Sequence, residues 1–166
     1  MEYINKAYLL IGGNIGNSLF YLGQAVALLQ KKCGNVVNLS AIYETAPWGN
    51  TQQPVFLNQA MELHTEFTAD ELMPQLLSIE EEMGRKRDEK YGPRIIDIDI
   101  LLFNEEVHIS VELTIPHKEL QNRRFVLQPL AEIAPLLIHP VLKKSIQQLL
   151  IECRDQLPVR KLIVNC

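Results

Sequence analysis

The chain has 166 residues, 47% of them hydrophobic and 22% charged, with 16 Lys+Arg against 20 Asp+Glu for a net charge of −4. These values predict one globular domain able to bury a core without disulfide or metal staples, and exclude a disordered or fibrous chain. No apolar run approaches the ~20 residues that cross a bilayer, the segment Met1 to Ile11 makes a poor signal peptide, and three cysteines (Cys33, Cys153, Cys166) at unrelated spacings read as free thiols in a reducing, cytoplasmic setting.

In chain order, Lys6 to Ile11 predicts a first strand that ends at Gly12-Gly13. Asn17 or Ser18 caps a helix with Leu19, Leu22, Val26 and Leu29 on one face, stopping at Gly34. Two alternating runs follow: Val37, Leu39, Ala41 and Tyr43 share a face of a second strand, and Val55, Leu57, Met61 and Leu63 a face of a third. The connection Thr45 to Pro54 is longer than a hairpin requires. Thr68-Ala-Asp-Glu71 has the form of a capping box, opening a helix through Leu72, Leu76, Ile79 and Met83 to Gly84. Pro74 in that helix predicts a kink or a late start. Ile95 to Phe103 is the strongest strand, with positions 96, 98, 100 and 102 as its core face. Short elements follow: a hairpin through Val107 to Ser110, a turn at Pro116, and helices near Arg124 to Glu132 and Ser145 to Glu152.

The order strand, helix, strand, strand, helix, strand over residues 6 to 103 predicts an α+β fold with a ferredoxin-like βαββαβ core. That core is an antiparallel sheet with two helices on one face, extended by short C-terminal elements. The second face is then covered by the C-terminal third or left partly open as a site.

Period-two alternation puts Asp97 and Asp99 together on the face opposite the isoleucines, with Cα atoms ~6.5–7 Å apart. Two such carboxylates repel unless water or a cation separates them, and a hard divalent cation is suited to the task. Spacing alone leaves two solvated acids equally plausible. Arg85, Arg87 and Arg94 just upstream favour phosphate chemistry, because guanidiniums beside metal-holding carboxylates are what phosphoryl transfer uses. The segments 85–94 and 117–124 hold eight basic side chains against three acidic ones, a local anion site within an acidic protein. On the third strand Phe56 and Asn58 project to the same face as the acids, an aromatic and an amide fit for a flat heterocycle, though a surface aromatic with a solvated Asn is the commoner arrangement. Ile11 to Asn17 lacks both G-x-G-x-x-G and Walker spacing, and reads as a tight turn and cap rather than a phosphate cradle. His117, between cations, is a candidate phosphate donor. A non-enzymatic RNA-binding module would place bases and aromatics, not two acids, on the sheet face.

Gly92 to Phe103 (Gly-Pro-Arg-Ile-Ile-Asp-Ile-Asp-Ile-Leu-Leu-Phe) resembles the signature of the 6-hydroxymethyl-7,8-dihydropterin pyrophosphokinase family. Ile11 to Asn17, Tyr43 to Gly49, Gln53 to Asn58, Ile79-Glu80 with Gly84 to Arg87, Leu113 to His117, Asn122 to Phe125 and Glu132 to Pro135 follow the family in order. The resemblance implies diphosphate transfer from ATP to the pterin hydroxymethyl group by one domain spanning residues 1–166. It implies Asp97 and Asp99 as ligands of two Mg²⁺ ions. Arg85, Arg94, Asp97 and Asp99 would be the catalytic set, with Glu80, Arg85, Arg87, Arg94, Ile100, His117 and Arg123 around ATP. Phe56 and Phe125 would sandwich the pterin, Asn58 would read its edge, and Thr45 and Trp48 would complete the pocket. ATP and the pterin are the expected partners of a monomer that uses no nucleic acid or membrane. Three positions depart from the family pattern: Phe56 where Tyr is common, Trp48 where the residue is often smaller or aliphatic, and Lys118 where an aromatic commonly follows the histidine.

Overall fold

The computed structural model describes residues 4–46, 52–86 and 93–163. The elements in chain order are β1 (Asn5–Gly13), α1 (Ser18–Lys32), β2 (Asn35–Leu39), β3 (Tyr43–Thr45), β4 (Phe56–Thr65), α2 (Ala69–Glu82), β5 (Asp97–Phe103), β6 (His108–Ile109), β7 (Thr114–Ile115), α3 (Arg124–Ile133), α4 (Ile146–Glu152) and β8 (Val159–Lys161). The main sheet runs β5-β1-β4-β3-β8, with β2 also paired to β4, and every pairing is antiparallel. This is the expected α+β architecture. No described helix is long and apolar enough to cross a membrane. Cys33 and Cys153 are free and buried; Cys166 lies outside the described residues.

The central strand β1 is buried on both faces, as its unbroken apolar run requires. Ala7, Leu9 and Ile11 join Met61, Leu63, Ile98 and Ile100 in a core covered by Leu22, Ala25 and Leu29 of α1 and Leu72, Leu76 and Ile79 of α2. Tyr8, Leu10 and Ala60 face the other way, against Val126, Leu127 and Leu130 of α3 and Ile146 and Leu149 of α4. The C-terminal third therefore covers part of the second face. Among the described residues, the part of that face beside the Asp97 end of β5 is left as a cavity.

The helix signals hold. The Asn17 side chain caps α1 by accepting from Phe20 N at 3.2 Å, and Thr68 and Glu71 form both bonds of the capping box. A late start for α2 is not observed: it begins at Ala69 with Pro74 inside. The Pro74 ring cancels only the bond to the carbonyl of Asp70, an exposed first-turn residue that water can serve. Leu19 stays 42% exposed in the first turn of α1, while Ala25 takes a buried place.

Three strand expectations are corrected. The run Val37 to Tyr43 is not one strand: it breaks between β2 and β3, and Val37 and Leu39 are exposed. A register shift lies between Val36 and Asn38, and Ser40 then substitutes its hydroxyl for a ladder group by accepting from Ala60 N at 2.9 Å. Val55 lies outside β4 and is exposed, although Leu57, Met61 and Leu63 keep their predicted face. In β5 the inward face does not continue to Leu102. Tyr8 pairs with Leu102 and Leu9 with Ile100, so Leu101 is an extra residue without a partner on β1. This bulge turns Leu101 and Leu102 toward α3 and returns Phe103 to the helix-covered core.

Candidate active site

The open part of the second face is a cavity lined by Leu10, Gly12, Thr45, Ala46, Phe56, Asn58, Arg94, Asp97, Asp99, Arg123 and Phe125. The four strand positions expected to share this face, Phe56, Asn58, Asp97 and Asp99, do so, because β1 stands between β4 and β5 and all three strands turn alternate residues outward. Gly12 pairs with Asn58 on one side and with Asp97 on the other. A Cβ on Gly12 would lie 2.1 Å from Asn58 Oδ1, so only glycine lets that carboxamide cross β1.

One wall is aromatic and amide. Asn58, buried, donates from Nδ2 to Thr45 Oγ1 at 3.0 Å, which leaves Oδ1 facing Gly12 as its acceptor atom. Phe56 lies under the Arg94 guanidinium, 5.6 Å from its ring centre, and Phe125 lies 5.8 Å from the Arg123 guanidinium. Each ring is thus packed against a cation at the edge of the cavity.

The other wall is ionic. Asp97 accepts from Arg85 Nη1 through Oδ1 at 2.7 Å and from Arg94 Nη1 through Oδ2 at 3.0 Å. Arg85 also reaches Glu80 at 2.5 Å, and the same Glu80 oxygen accepts Ile98 N at 3.1 Å. Glu80 therefore fixes the end of α2 to the start of β5 from a position 2% exposed. The sequence spacing suggested two repelling acids; in the structure two guanidiniums hold Asp97, and Asp99 is the acid left over. The Asp99 carboxylate accepts no hydrogen bond from a described residue. Burial, followed by the charges of Asp97 and Glu80, pushes its pKa well above the usual carboxylate range against the pull of Arg85 and Arg94. Arg85 Nε is also buried without an acceptor.

His117 stands beside this wall, with its main chain anchored by His117 N donating to Leu101 O at 3.0 Å. Its Nδ1 accepts Glu119 N at 3.2 Å, so the neutral ring carries its proton on Nε2. Burial first, then Arg123, lowers its pKa below the ordinary 6.5. Ile100 does not offer a side chain to the cavity: it is 3% exposed within the helix-covered core, which leaves only its main chain on the edge strand. Trp48 and Arg87 lie outside the described residues.

A residue given no chemistry from sequence proves central. Asn14, in the glycine turn, accepts Arg94 N through Oδ1 at 2.9 Å and donates from Nδ2 to Gln53 Oε1 and Pro54 O, both at 2.9 Å. It ties the approach to β4 to the approach to β5. The turn is structural, as its spacing indicated, but its asparagine aligns both walls. Gly13 makes the approach possible, since a Cβ there would meet Ile95 O at 2.2 Å.

Comparison with known proteins gives the family. Residues 8–135 match the family model described as 7,8-dihydro-6-hydroxymethylpterin-pyrophosphokinase (HPPK). A 2-amino-4-hydroxy-6-hydroxymethyldihydropteridine pyrophosphokinase of Bacillus subtilis (strain 168) is 47% identical over 130 residues, covering 78% of each chain. One of Methylorubrum extorquens is 47% identical over 137 residues, covering 81% of this chain and 86% of that one. The fold is also similar to that of wild-type Plasmodium falciparum HPPK-DHPS, crystallised with pteroate, at a TM-score of 0.73 and 20% identity. That match covers 92% of this chain and 45% of the Plasmodium chain, so this chain spans under half of that protein. On the family match and these identities, the chain belongs to the 7,8-dihydro-6-hydroxymethylpterin-pyrophosphokinase family.

Proposed function

We propose that this chain transfers diphosphate from ATP to the hydroxymethyl group of 6-hydroxymethyl-7,8-dihydropterin, a step of folate biosynthesis, and releases AMP. The observation that carries the reading is a single cavity with two chemically distinct walls, Phe56, Asn58 and Phe125 on one and Arg94, Asp97 and Asp99 on the other. A flat heterocycle suits the first and a polyphosphate with cations the second.

Phe56 and Phe125 take the two faces of the pterin by stacking. Asn58, oriented by its bond to Thr45, accepts a ring N–H through Oδ1 and keeps one amide hydrogen to donate. Trp48 would complete this pocket. Arg85, Arg94, Arg123 and the Nε2–H of His117 donate to the triphosphate, with Arg87 as a further cation, and a phosphate oxygen gives Arg85 Nε the acceptor it lacks. Glu80 holds Arg85 in place, and the Ile100 main chain borders the nucleotide.

Asp97 and Asp99 fit Mg²⁺, two ions on the family's pattern. Glu80, Asp97 and Asp99 outnumber the two arginines set among them, Asp99 accepts no hydrogen bond from a described residue, and Mg²⁺ commonly takes one or two carboxylates with phosphate and water completing its shell. When bound, the metal offsets the charge of the triphosphate and of the oxygen that leaves with AMP. The hydroxymethyl oxygen bonds to the β-phosphorus as the bond to the α–β bridging oxygen breaks. That electron pair departs with AMP, and the hydroxyl loses its proton. Arg94, between Phe56 and Asp97, is placed where this charge moves.

The test is product identity. With ATP, Mg²⁺ and the reduced pterin, AMP and the diphosphorylated pterin should form in equal amounts, and chelation should stop turnover. ADP in place of AMP would overturn the reading.

A further inference from the structure

We propose that Glu132 is a positioning residue for the pterin, acting through Tyr43 to set the distance between α3 and the sheet and so the place of Phe125 in the cavity. The inference rests on the pterin pocket described above.

Two hydrogen bonds join α3 to the sheet at this side chain. Tyr43 Oη donates to Glu132 Oε1 at 2.6 Å, and Ala41 N donates to Oε2 at 2.8 Å. Lys161 Nζ of β8 lies 3.6 Å from Oε1, so one carboxylate joins α3, β3 and β8. Burial would raise the Glu132 pKa, but the bonds from Tyr43 and Ala41 with the Lys161 charge bring it below the ordinary value, so it stays ionised at neutral pH.

The placement makes this contact a lever. Phe125 and Glu132 are seven residues apart on one helix, two turns and ~10 Å along the same face. Tyr43 and Thr45 are two apart on β3 and share a face. Tyr43 pairs with Asn58, and Thr45 with Phe56. The clamp thus spans the same strand and helix that carry the pocket residues, two turns from the ring. The other end of α3 is held to the C-terminal segment, where Arg124 donates to Asp155 and to Cys153 O. Across the gap between helix and sheet, the polar contact among the described residues that faces β3 and β8 is the one at Glu132, beside the hydrophobic contacts. Stacking needs that gap to match the thickness of a ring, so loosening the clamp should cost pterin affinity before it costs nucleotide affinity.

Tyr8 supplies an internal control. Its hydroxyl donates to Glu62 Oε1 at 2.7 Å on the same sheet, and it is 6% exposed, as Tyr43 is. The Tyr8 ring packs in the cluster it shares with α3, but its hydroxyl bond joins β1 to β4 and ties no α3 side chain to the sheet.

The experiment measures affinity for the reduced pterin, with Mg²⁺ and a non-hydrolysable ATP analogue present, in Y43F, E132Q, Y8F and F125A, alongside Mg-ATP affinity, kcat, KM and melting temperature. Y43F and E132Q should weaken pterin binding about tenfold, with nucleotide affinity within twofold and KM rising more than kcat falls. Y8F should lower the melting temperature by a similar amount and leave pterin affinity unchanged. If E132Q does not fold, Y43F alone decides. Pterin affinity in Y43F equal to that in Y8F, or nucleotide and pterin affinity falling together, would overturn the inference. F125A separates the two levels. Unchanged pterin binding in F125A would sink the pocket itself, whereas lost binding in F125A with intact binding in Y43F sinks only the clamp.

Discussion

Asn14 and Arg94 hold each other by two hydrogen bonds of 2.9 Å: Asn14 N donates to Arg94 O, and Arg94 N donates to Asn14 Oδ1. With the amide end of the same side chain on Gln53 and Pro54, the base of the ionic wall and the base of the aromatic wall share one buried residue. Asn14→Ala should therefore impair both substrates. Each buried bond contributes ~0.5–1.5 kcal/mol net, so melting should fall by several degrees. Turnover should fall by at least ~10-fold, because small displacements of reacting groups are expensive. Asn14→Asp separates the halves: it keeps the acceptor for Arg94 N and loses both donor bonds, so KM for the pterin should rise more than KM for ATP. Steady-state kinetics with each substrate varied reads this directly.

Asp99 should divide stability from activity. Its raised pKa means that the folded protein binds this proton more tightly than the unfolded chain does. The penalty is absent at acid pH and grows as pH rises from the ordinary 3.8 through the folded value. Asp99→Asn removes the penalty, so the ligand-free variant should melt higher than wild type at pH 7 and no higher at acid pH. Its turnover should drop by at least ~10²-fold, since metal-assisted charge neutralisation supplies several kcal/mol. A variant that is both active and unchanged in stability would contradict this account of Asp99.

Gly12→Ala tests how tightly the pterin wall is built. The added methyl falls 2.1 Å from Asn58 Oδ1 and 3.1 Å from Leu57 O, and only the first atom can swing away. Asn58 should rotate, release Thr45 and lose its alignment. Pterin affinity should drop by ~1–3 kcal/mol, the range for a buried polar group left unsatisfied, while Mg-ATP binding stays near wild type. Calorimetry of each ligand distinguishes this from general unfolding.

Acid should weaken the ligand-free protein through two histidines. Burial lowers the pKa of His117 and of His139 below 6.5 in the folded state. The unfolded chain therefore binds more protons, and stability present above pH 6.5 is lost as pH falls toward the folded values. His139 Nδ1 accepts Val141 N and Leu142 N, bonds that the neutral ring makes and the protonated ring cannot. In the Asp99→Asn background, which removes the opposing trend of that carboxylate, denaturant midpoints from pH 7.5 to 5 should decline, and adding His139→Gln should flatten the decline. A midpoint that rises over that interval would refute the assignment.

Legibility from sequence followed the range of the interaction. Asp97, Asp99, Phe56 and Asn58 were readable as one face because alternation along β4 and β5 depends on neighbours two residues away. Capping at Asn17 and Thr68 was readable because its partners lie three residues on. Asn14 gave no chemical signal, since its partners are 39 to 80 residues distant. The same holds for Tyr43 and Glu132, 89 apart. β8 has three residues, too few to show a period, and exists because β3 offers it an edge. Ser40 broke an apparently regular strand because a hydroxyl can stand in for a backbone group, which no hydropathy pattern records.

The bulge at Leu101 is invisible in a run of Leu-Leu-Phe that is apolar whichever way it faces, yet it changes what the strand edge can hold. Leu101 is the one residue of that stretch without a partner on β1, and its carbonyl receives His117 N at 3.0 Å. Removing residue 101 would leave a well-alternating strand: Asp97 and Asp99 outward, Ile98 and Ile100 inward, Phe103 still inward. The sheet would tolerate such a deletion better than the histidine would. The surplus residue acts as a peg by which a loop with little regular structure of its own is hung at fixed height beside the two acids. A shortened β5 should thus yield a folded protein in which the His117 imidazole, the proposed phosphate ligand, has lost its mooring, a defect that no inspection of the acids themselves would reveal.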